Sequence, residues 1–234
     1  MNLLYEGKAK KIFQGPEKNQ RIMYFKDDAT AFNNLKKATI DTKGVLNLKI
    51  ATHIFKYLGE HGIQSHFIKT LSDREMLVKA VTIIPLEVVV RNIAAGNLCK
   101  RLGIAEKTKM EPSLVEFYYK KDELGDPILT DDHIEMMKIA SVKEIQTLKT
   151  TALKINQLLI DYFKNLGIIL VDFKIEFGKN ENGTILLADE ISPDSCRLWD
   201  SKTMEIMDKD RFRKDLGGLT EAYTEVLHRM ESDT

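Results

Sequence analysis

The chain predicts an α+β fold in which a β-rich N-terminal part precedes a larger part of mixed helix and strand. Three observations carry this. Short runs rich in β-branched and aromatic residues dominate up to residue 90, a long helical stripe follows Ser141, and strict alternation of charged and apolar residues marks 171–177.

In chain order, Leu3 to Phe13 and Arg21 to Phe25 read as two strands around the turn-prone Gly15-Pro16. Asn47 to Leu58 places Ile50, Ile54, Phe55 and Leu58 on one helical side, and Gly59 and Gly62 end it. His66 to Leu71 and Met76 to Val90 read as strands, the second interrupted at Pro85. Ser141 and Glu144 form a capping box for a helix whose stripe is Ile145, Leu148, Ala152, Ile155, Leu159 and Tyr162, stopped at Gly167. A strand over 170–178 comes next, and a last helix spans about Leu219 to Met230, after Gly217-Gly218. There is no internal repeat, low-complexity tract or long linker.

With 234 residues there is ample material for one large or two modest cores. Lys+Arg and Asp+Glu both total 35, a balance that gives no reason to expect nucleic acid or an acidic membrane as partner. Two cysteines, Cys99 and Cys196, and the lack of a signal-like or membrane-length apolar run predict a cytoplasmic protein without a disulfide framework.

The alternating strand is the first chemical candidate. It puts Asp172, Lys174 and Glu176 on one face and Val171, Phe173, Ile175 and Phe177 on the other. If Asn182-Gly183 is a two-residue turn, Glu181 pairs with Thr184 and Glu176 lies directly opposite Asp189. Facing carboxylates repel, and a divalent cation between them reverses the sign; Mg²⁺ is typically held by one or two carboxylates together with substrate phosphates. A solvated amphipathic hairpin accounts for the same alternation.

Lys8 and Lys10 are two apart beside the small Gly7 and Ala9, which suits a polyphosphate, although a lysine-decorated edge strand reads the same way. Arg91-Asn92, followed by small residues and an expected helix entry, is a candidate anion site. Arg197 lies in a segment without helical or strand periodicity, where polar groups are often held for a ligand. Three features are read as structural: Thr130 before Asp131-Asp132-His133 as an N-cap, Trp199 as packing, and His53, His61 and His66 as ordinary core or surface histidines.

Taken in order, YEGKAKKIF, PLEVVVRNIAAGN, VDFKIEFG, ADEISPDSCRLWD and MDKDRFR resemble the SAICAR synthetases, the phosphoribosylaminoimidazole-succinocarboxamide synthases of purine biosynthesis. The resemblance implies an ATP-dependent carbon–nitrogen ligase joining L-aspartate to carboxyaminoimidazole ribonucleotide (CAIR). It implies a β-rich domain over 1–82 and an α/β domain over 83–234, with an ATP cleft between them similar to that of ATP-grasp enzymes and protein kinases. It places Gly7, Lys8, Ala9 and Lys10 over the ATP phosphates, Val81 and Ile83 along the adenine, and Mg²⁺ on Glu176 and Asp189. Lys10 and Lys174 join that pair as catalytic residues. It gives the nucleotide 5′-phosphate to Arg91, Asn97 and Arg197, and the rest of that substrate to Asp126, Asp172, Lys174 and Asp194. A cytoplasmic homo-oligomer, a dimer first, is the implied assembly.

Two departures accompany the resemblance: Asn97 stands where the family commonly has Ser, and Asn34-Leu35 where a glycine and a small or β-branched residue are expected. Lys36, Arg101 and Arg213 are open candidates for the aspartate carboxylates. The competing readings are another ATP-dependent small-molecule kinase or ligase on the same scaffold, and a nucleotide-binding regulator without catalysis.

Overall fold

Alternation and turn chemistry build two antiparallel sheets, seen in a computed structural model that describes residues 2–31 and 35–232. The first holds β1 (Leu3–Glu6), β2 (Lys10–Gln14), β3 (Gln20–Phe25), β6 (Phe67–Thr70) and β7 (Glu75–Lys79), in the order β1-β2-β3-β7-β6. A separate ribbon pairs β4 (Asp28–Ala31) with β5 (Lys36–Thr39). The second sheet holds β8 (Thr82–Ile93), β9 (Lys109–Tyr119), β10 (Ile128–Leu129), β11 (Ile168–Lys179) and β12 (Ile185–Ala188), in the order β10-β9-β8-β11-β12, and β13 (Cys196–Asp200) also pairs with β11. An isolated bridge between Ser65 and Leu187 joins the two sheets.

The helices are α1 (Lys43–Glu60), α2 (Asn97–Leu102), α3 (Asp131–Met136), α4 (Val142–Asn165), α5 (Asp210–Arg213) and α6 (Leu219–Ser232). The capping box forms as expected: the Ser141 hydroxyl accepts from the Glu144 N–H, and the Glu144 carboxylate accepts from the Ser141 N–H. Ile145, Leu148, Ala152, Ile155 and Leu159 are buried against the second sheet, with Phe163 rather than Tyr162 closing the stripe. Each such Leu or Ile contributes roughly 1.5–3 kcal/mol by leaving water. Helix α1 packs on α6 and against β3 and β6, and residues of both sheets share one apolar core. Among the described residues no helix is long and apolar enough to cross a membrane.

Three expectations are corrected. Leu3 to Phe13 is a hairpin, not one strand: Gly7 donates its N–H to the Lys10 carbonyl and reverses the chain at Gly7-Lys8-Ala9. The interruption within Met76 to Val90 falls at Ala80-Val81, while Pro85 lies inside β8, where its carbonyl still accepts from Lys120. The expected order of strand, small residues and helix entry is found, with Arg91-Asn92 near the end of β8 and the helix starting at Asn97. The β11–β12 turn is longer than two residues, because the Asn180 side chain accepts from the N–H groups of Asn182 and Thr184. Lys179 therefore pairs with Ile185, and Glu176 faces Ala188 instead of Asp189. Of the Asn34-Leu35 departure, Asn34 lies outside the described residues and Leu35 is exposed.

Candidate active site

Paired residues in a sheet project from the same face. The register therefore assembles one polar surface: Glu87 and Arg91 on β8, Glu116 and Tyr118 on β9, Asp172, Lys174 and Glu176 on β11, and Arg197 on β13. The opposite face carries Val88, Val90, Phe117, Phe173, Ile175 and Phe177 into the core. Glu176 has a carboxylate directly across the ladder after all, but it is Glu87. Two lysines offset the repulsion: Lys120 lies 2.5 Å from Glu176, and Lys174 lies 2.5 Å from Glu87.

Between this surface and the first sheet opens a cleft of about 340 Å³. The hairpin turn Gly7-Lys8-Ala9 and Lys10 line one side, Val81 and Ile83 an apolar edge, and Lys174, Glu176, Asp189 and Asp194 the floor, with Asp126 at the rim. Gly178 has no room for a side chain, since an added Cβ would lie 2.6 Å from a Val81 methyl. Asp189 has φ 58, a left-handed conformation just past β12, and its side chain sits in the cleft near Glu176. Lys10 bridges it to Glu190, the latter at 3.0 Å. Lys8 instead reaches Asp122 at 2.9 Å across the cleft mouth.

The electrostatics follow from this crowding. Burial and then the Asp189 charge raise the Glu176 pKa, against Lys120 and Lys174. Burial alone would raise Asp189 as well, but Lys10 and Lys120 outweigh it and hold that carboxyl below its ordinary value. Burial would lower Lys10, and Asp189 and Glu190 together hold it above the ordinary lysine value. Two hard-oxygen carboxylates on the cleft floor fit Mg²⁺. Mg²⁺ typically takes one or two carboxylates and fills its remaining positions with phosphate oxygens and water; among the described residues no cluster of three or more ligating side chains exists.

Arg91, Asn97, Asp172 and Arg197 are outside the cleft lining. Three of them form a separate buried network: Asp172 Oδ2 accepts from Arg91 at 3.0 Å and from Arg197 at 2.8 Å, Arg91 also holds Glu116, and Arg197 also holds Asp210 at 2.9 Å. Asn97 is exposed at the start of α2. Asp194 is paired with the fully buried Lys43 at 2.6 Å and accepts from the Tyr223 hydroxyl. Thr130 does cap α3, and Trp199 packs with Ala95 and Val171.

Sequence reasoning missed Glu87, Glu190, Lys43, Lys120 and Lys209, and placed His66 among ordinary histidines. Glu87 had a visible signal, a lone acid in the apolar run Leu86-Glu87-Val88-Val89-Val90. Lys209 stood inside the motif MDKDRFR, but no periodicity there assigned it a face or a role. It lines the cleft without a carboxylate in ion-pair distance among the described residues, and burial lowers its pKa although Asp194 opposes this. By contrast Lys36 is tied to Asp215, Arg101 to Glu116 and Arg213 to Asp210.

Next to Lys209, burial and then Asp210 push the Asp208 carboxyl up to about 7 from 3.8. Between those two values the folded state binds more protons than the unfolded state, so this group makes stability fall as pH rises. Urea titrations of Asp208→Asn from pH 4 to pH 7 are expected to show that slope flattened, and an unchanged slope refutes the assignment.

The SAICAR synthetase family model matches residues 3–230. The phosphoribosylaminoimidazole-succinocarboxamide synthase of Caldanaerobacter subterraneus subsp. tengcongensis is 56% identical over 229 residues, 98% of this chain and 97% of that protein. Its counterpart from Persephonella marina is 58% identical over 97% of this chain and 95% of that protein. Among solved structures, the same synthase from Ehrlichia chaffeensis superposes with a TM-score of 0.96 at 49% identity, covering 98% of both chains. A SAICAR synthetase in complex with ADP gives a TM-score of 0.95 at 50% identity, covering 98% of this chain and 97% of that one.

Proposed function

The chain belongs to the SAICAR synthetase family, and we propose that its ATP-dependent ligation of L-aspartate to CAIR takes place in the cleft between the two sheets. One observation carries the placement: Lys10, from the hairpin that lines one side, meets Asp189 and Glu190 on the floor beside Glu176. That is where a polyphosphate with its metal needs cations and carboxylates side by side. In this reading 1–82 and 83–234 act as two domains around the nucleotide, in the manner of ATP-grasp enzymes and kinases. Gly7, Lys8 and Ala9 cover the phosphates, and Val81 and Ile83 contact the adenine. The enzyme is a cytoplasmic homodimer.

A carboxylate is a poor electrophile for an amine. ATP removes the obstacle: the CAIR carboxylate attacks the γ-phosphorus, ADP leaves, and the aspartate amine then displaces phosphate from the acyl phosphate. Mg²⁺ held by Glu176 and Asp189 would neutralise phosphate charge as it shifts toward the leaving group. Lys10 and Lys174 keep their protons in this environment and act as fixed positive charges, Lys10 on the phosphates and Lys174 on the substrate carboxylate. Asp126, Asp172 and Asp194 hold the remainder of CAIR, and Arg91, Asn97 and Arg197 its 5′-phosphate. No covalent nucleophile is required.

Lys209 supplies the charge for an aspartate carboxylate. Lys209→Met is expected to raise the KM for aspartate roughly tenfold or more, the value of one charge-assisted hydrogen bond, and to leave the KM for ATP unchanged. A steady-state titration of aspartate checks this. The whole reading is tested by measuring ADP release with each substrate omitted in turn. Sustained turnover, beyond the one equivalent of ADP that acyl phosphate formation can release, is expected to require both aspartate and CAIR, and multiple-turnover release without aspartate would favour a kinase on the same scaffold.

A further inference from the structure

Strand β12 ends at Ala188, whose side chain shares a face with Glu176. Continued as a strand, residue 189 would turn to the apolar side. The left-handed φ of Asp189 redirects it, a conformation that costs energy for a residue with a Cβ, less for Asp than for most, and that a neighbouring hydrogen bond can stabilise. His66 is placed to do so. Its Nε2 lies 3.0 Å from the Asp189 carbonyl oxygen, and since a carbonyl only accepts, that nitrogen carries the proton.

The imidazole is itself fixed. It is buried against the Phe55 ring, and its own backbone is tied on both sides. The His66 N–H donates to the Leu187 carbonyl at 2.8 Å, and its carbonyl accepts from Lys79 at 2.7 Å. His66 thus sits where the two sheets are joined, one hydrogen bond from the backbone of Asp189.

We propose that His66 is a positioning residue for the metal carboxylates: by clasping the Asp189 carbonyl it keeps the Asp189 side chain turned into the cleft beside Glu176. This rests on the reading of Glu176 and Asp189 as the Mg²⁺ pair. The test uses the whole enzyme with ADP and Mg²⁺ as probes, ADP affinity being measured by calorimetry across an Mg²⁺ titration, alongside kcat, KM and melting temperature. His66→Phe and His66→Leu remove the donor and keep an apolar filling, whereas His66→Gln keeps an N–H.

Both donorless variants are expected to need roughly tenfold more Mg²⁺ to tighten ADP and to lose kcat with little change in the KM for CAIR, and the Gln variant to stay near wild type. A wild-type Mg²⁺ dependence in either folded donorless variant overturns the proposal. So does a Gln variant as impaired as the Phe variant, which would show packing alone. Glu176→Gln in the same titration separates the two readings. If Mg²⁺ tightens ADP in wild type but not in Glu176→Gln, the metal pair stands and only His66 is being judged. If Mg²⁺ leaves ADP affinity unchanged in wild type, the metal pair falls, and this inference with it.

Discussion

Glu176→Gln is expected to lower kcat on the order of 10²-fold or more at saturating Mg²⁺, without loss of fold. Gln keeps the size and one acceptor oxygen but removes the charge a hard cation needs. The substitution removes one carboxylate of a pair, and Asp189 with Lys10 and Glu190 still beside it cannot take over both ligand positions. Near wild-type turnover at saturating Mg²⁺ would sink the metal assignment.

The fold should tolerate the change and even gain from it. Burial and the Asp189 charge hold the Glu176 carboxyl above its ordinary value, so its ionised form is unfavourable in the folded state. Over the pH window between the ordinary and the raised value the folded state binds more protons than the unfolded state, and stability falls as pH rises through it. The Gln variant should lose that slope and melt no lower than wild type near neutrality. A large drop in melting temperature would mean that the Lys120 ion pair outweighs the crowding of acids around it. A more stable, inactive variant is what a carboxylate that serves cation binding rather than the fold should give.

The legible parts of this site are those governed by local periodicity. The alternation over 171–177 assigned Asp172, Lys174 and Glu176 to one face, and the register of β8, β11 and β13 shows them there. The capping box of α4 and the Thr130 cap were equally local. What failed was counting across a turn. Asn182-Gly183 favours a two-residue hairpin, but the Asn180 side chain bonds two backbone N–H groups and adds residues to the loop. The two carboxylates still meet in the cleft because Asp189 adopts a left-handed φ, which no pattern of residue types announces. Lys43 and His66 were out of reach for another reason. Their significance lies in partners far along the chain, Asp194 and the Asp189 carbonyl, and only the packed structure supplies those.

Arg197→Ala is expected to raise the KM for CAIR roughly 10- to 150-fold, the value of a lost hydrogen-bonded charge on a phosphate, while the KM for ATP stays put. The guanidinium is committed inside the protein on two sides, to Asp172 and Asp210, and this orients it. Removing it strands neither acid, since Arg91 still holds Asp172 and Arg213 still holds Asp210. The stability cost should therefore stay below about 3 kcal/mol, the lower bound for leaving a buried charge alone. Arg197→Lys keeps one charge but cannot reach both carboxylates, so it should fall between wild type and Ala. Gly96 offers a way to move the guanidinium without deleting it. Its φ is 59 with ψ −134, and an added Cβ would come within 2.4 Å of a guanidinium nitrogen of Arg197. Gly96→Ala should thus reproduce the CAIR defect with Arg197 intact. If both variants fold and bind CAIR as wild type does, Arg197 is a structural tie between β13, β11 and α5, and the phosphate is held elsewhere.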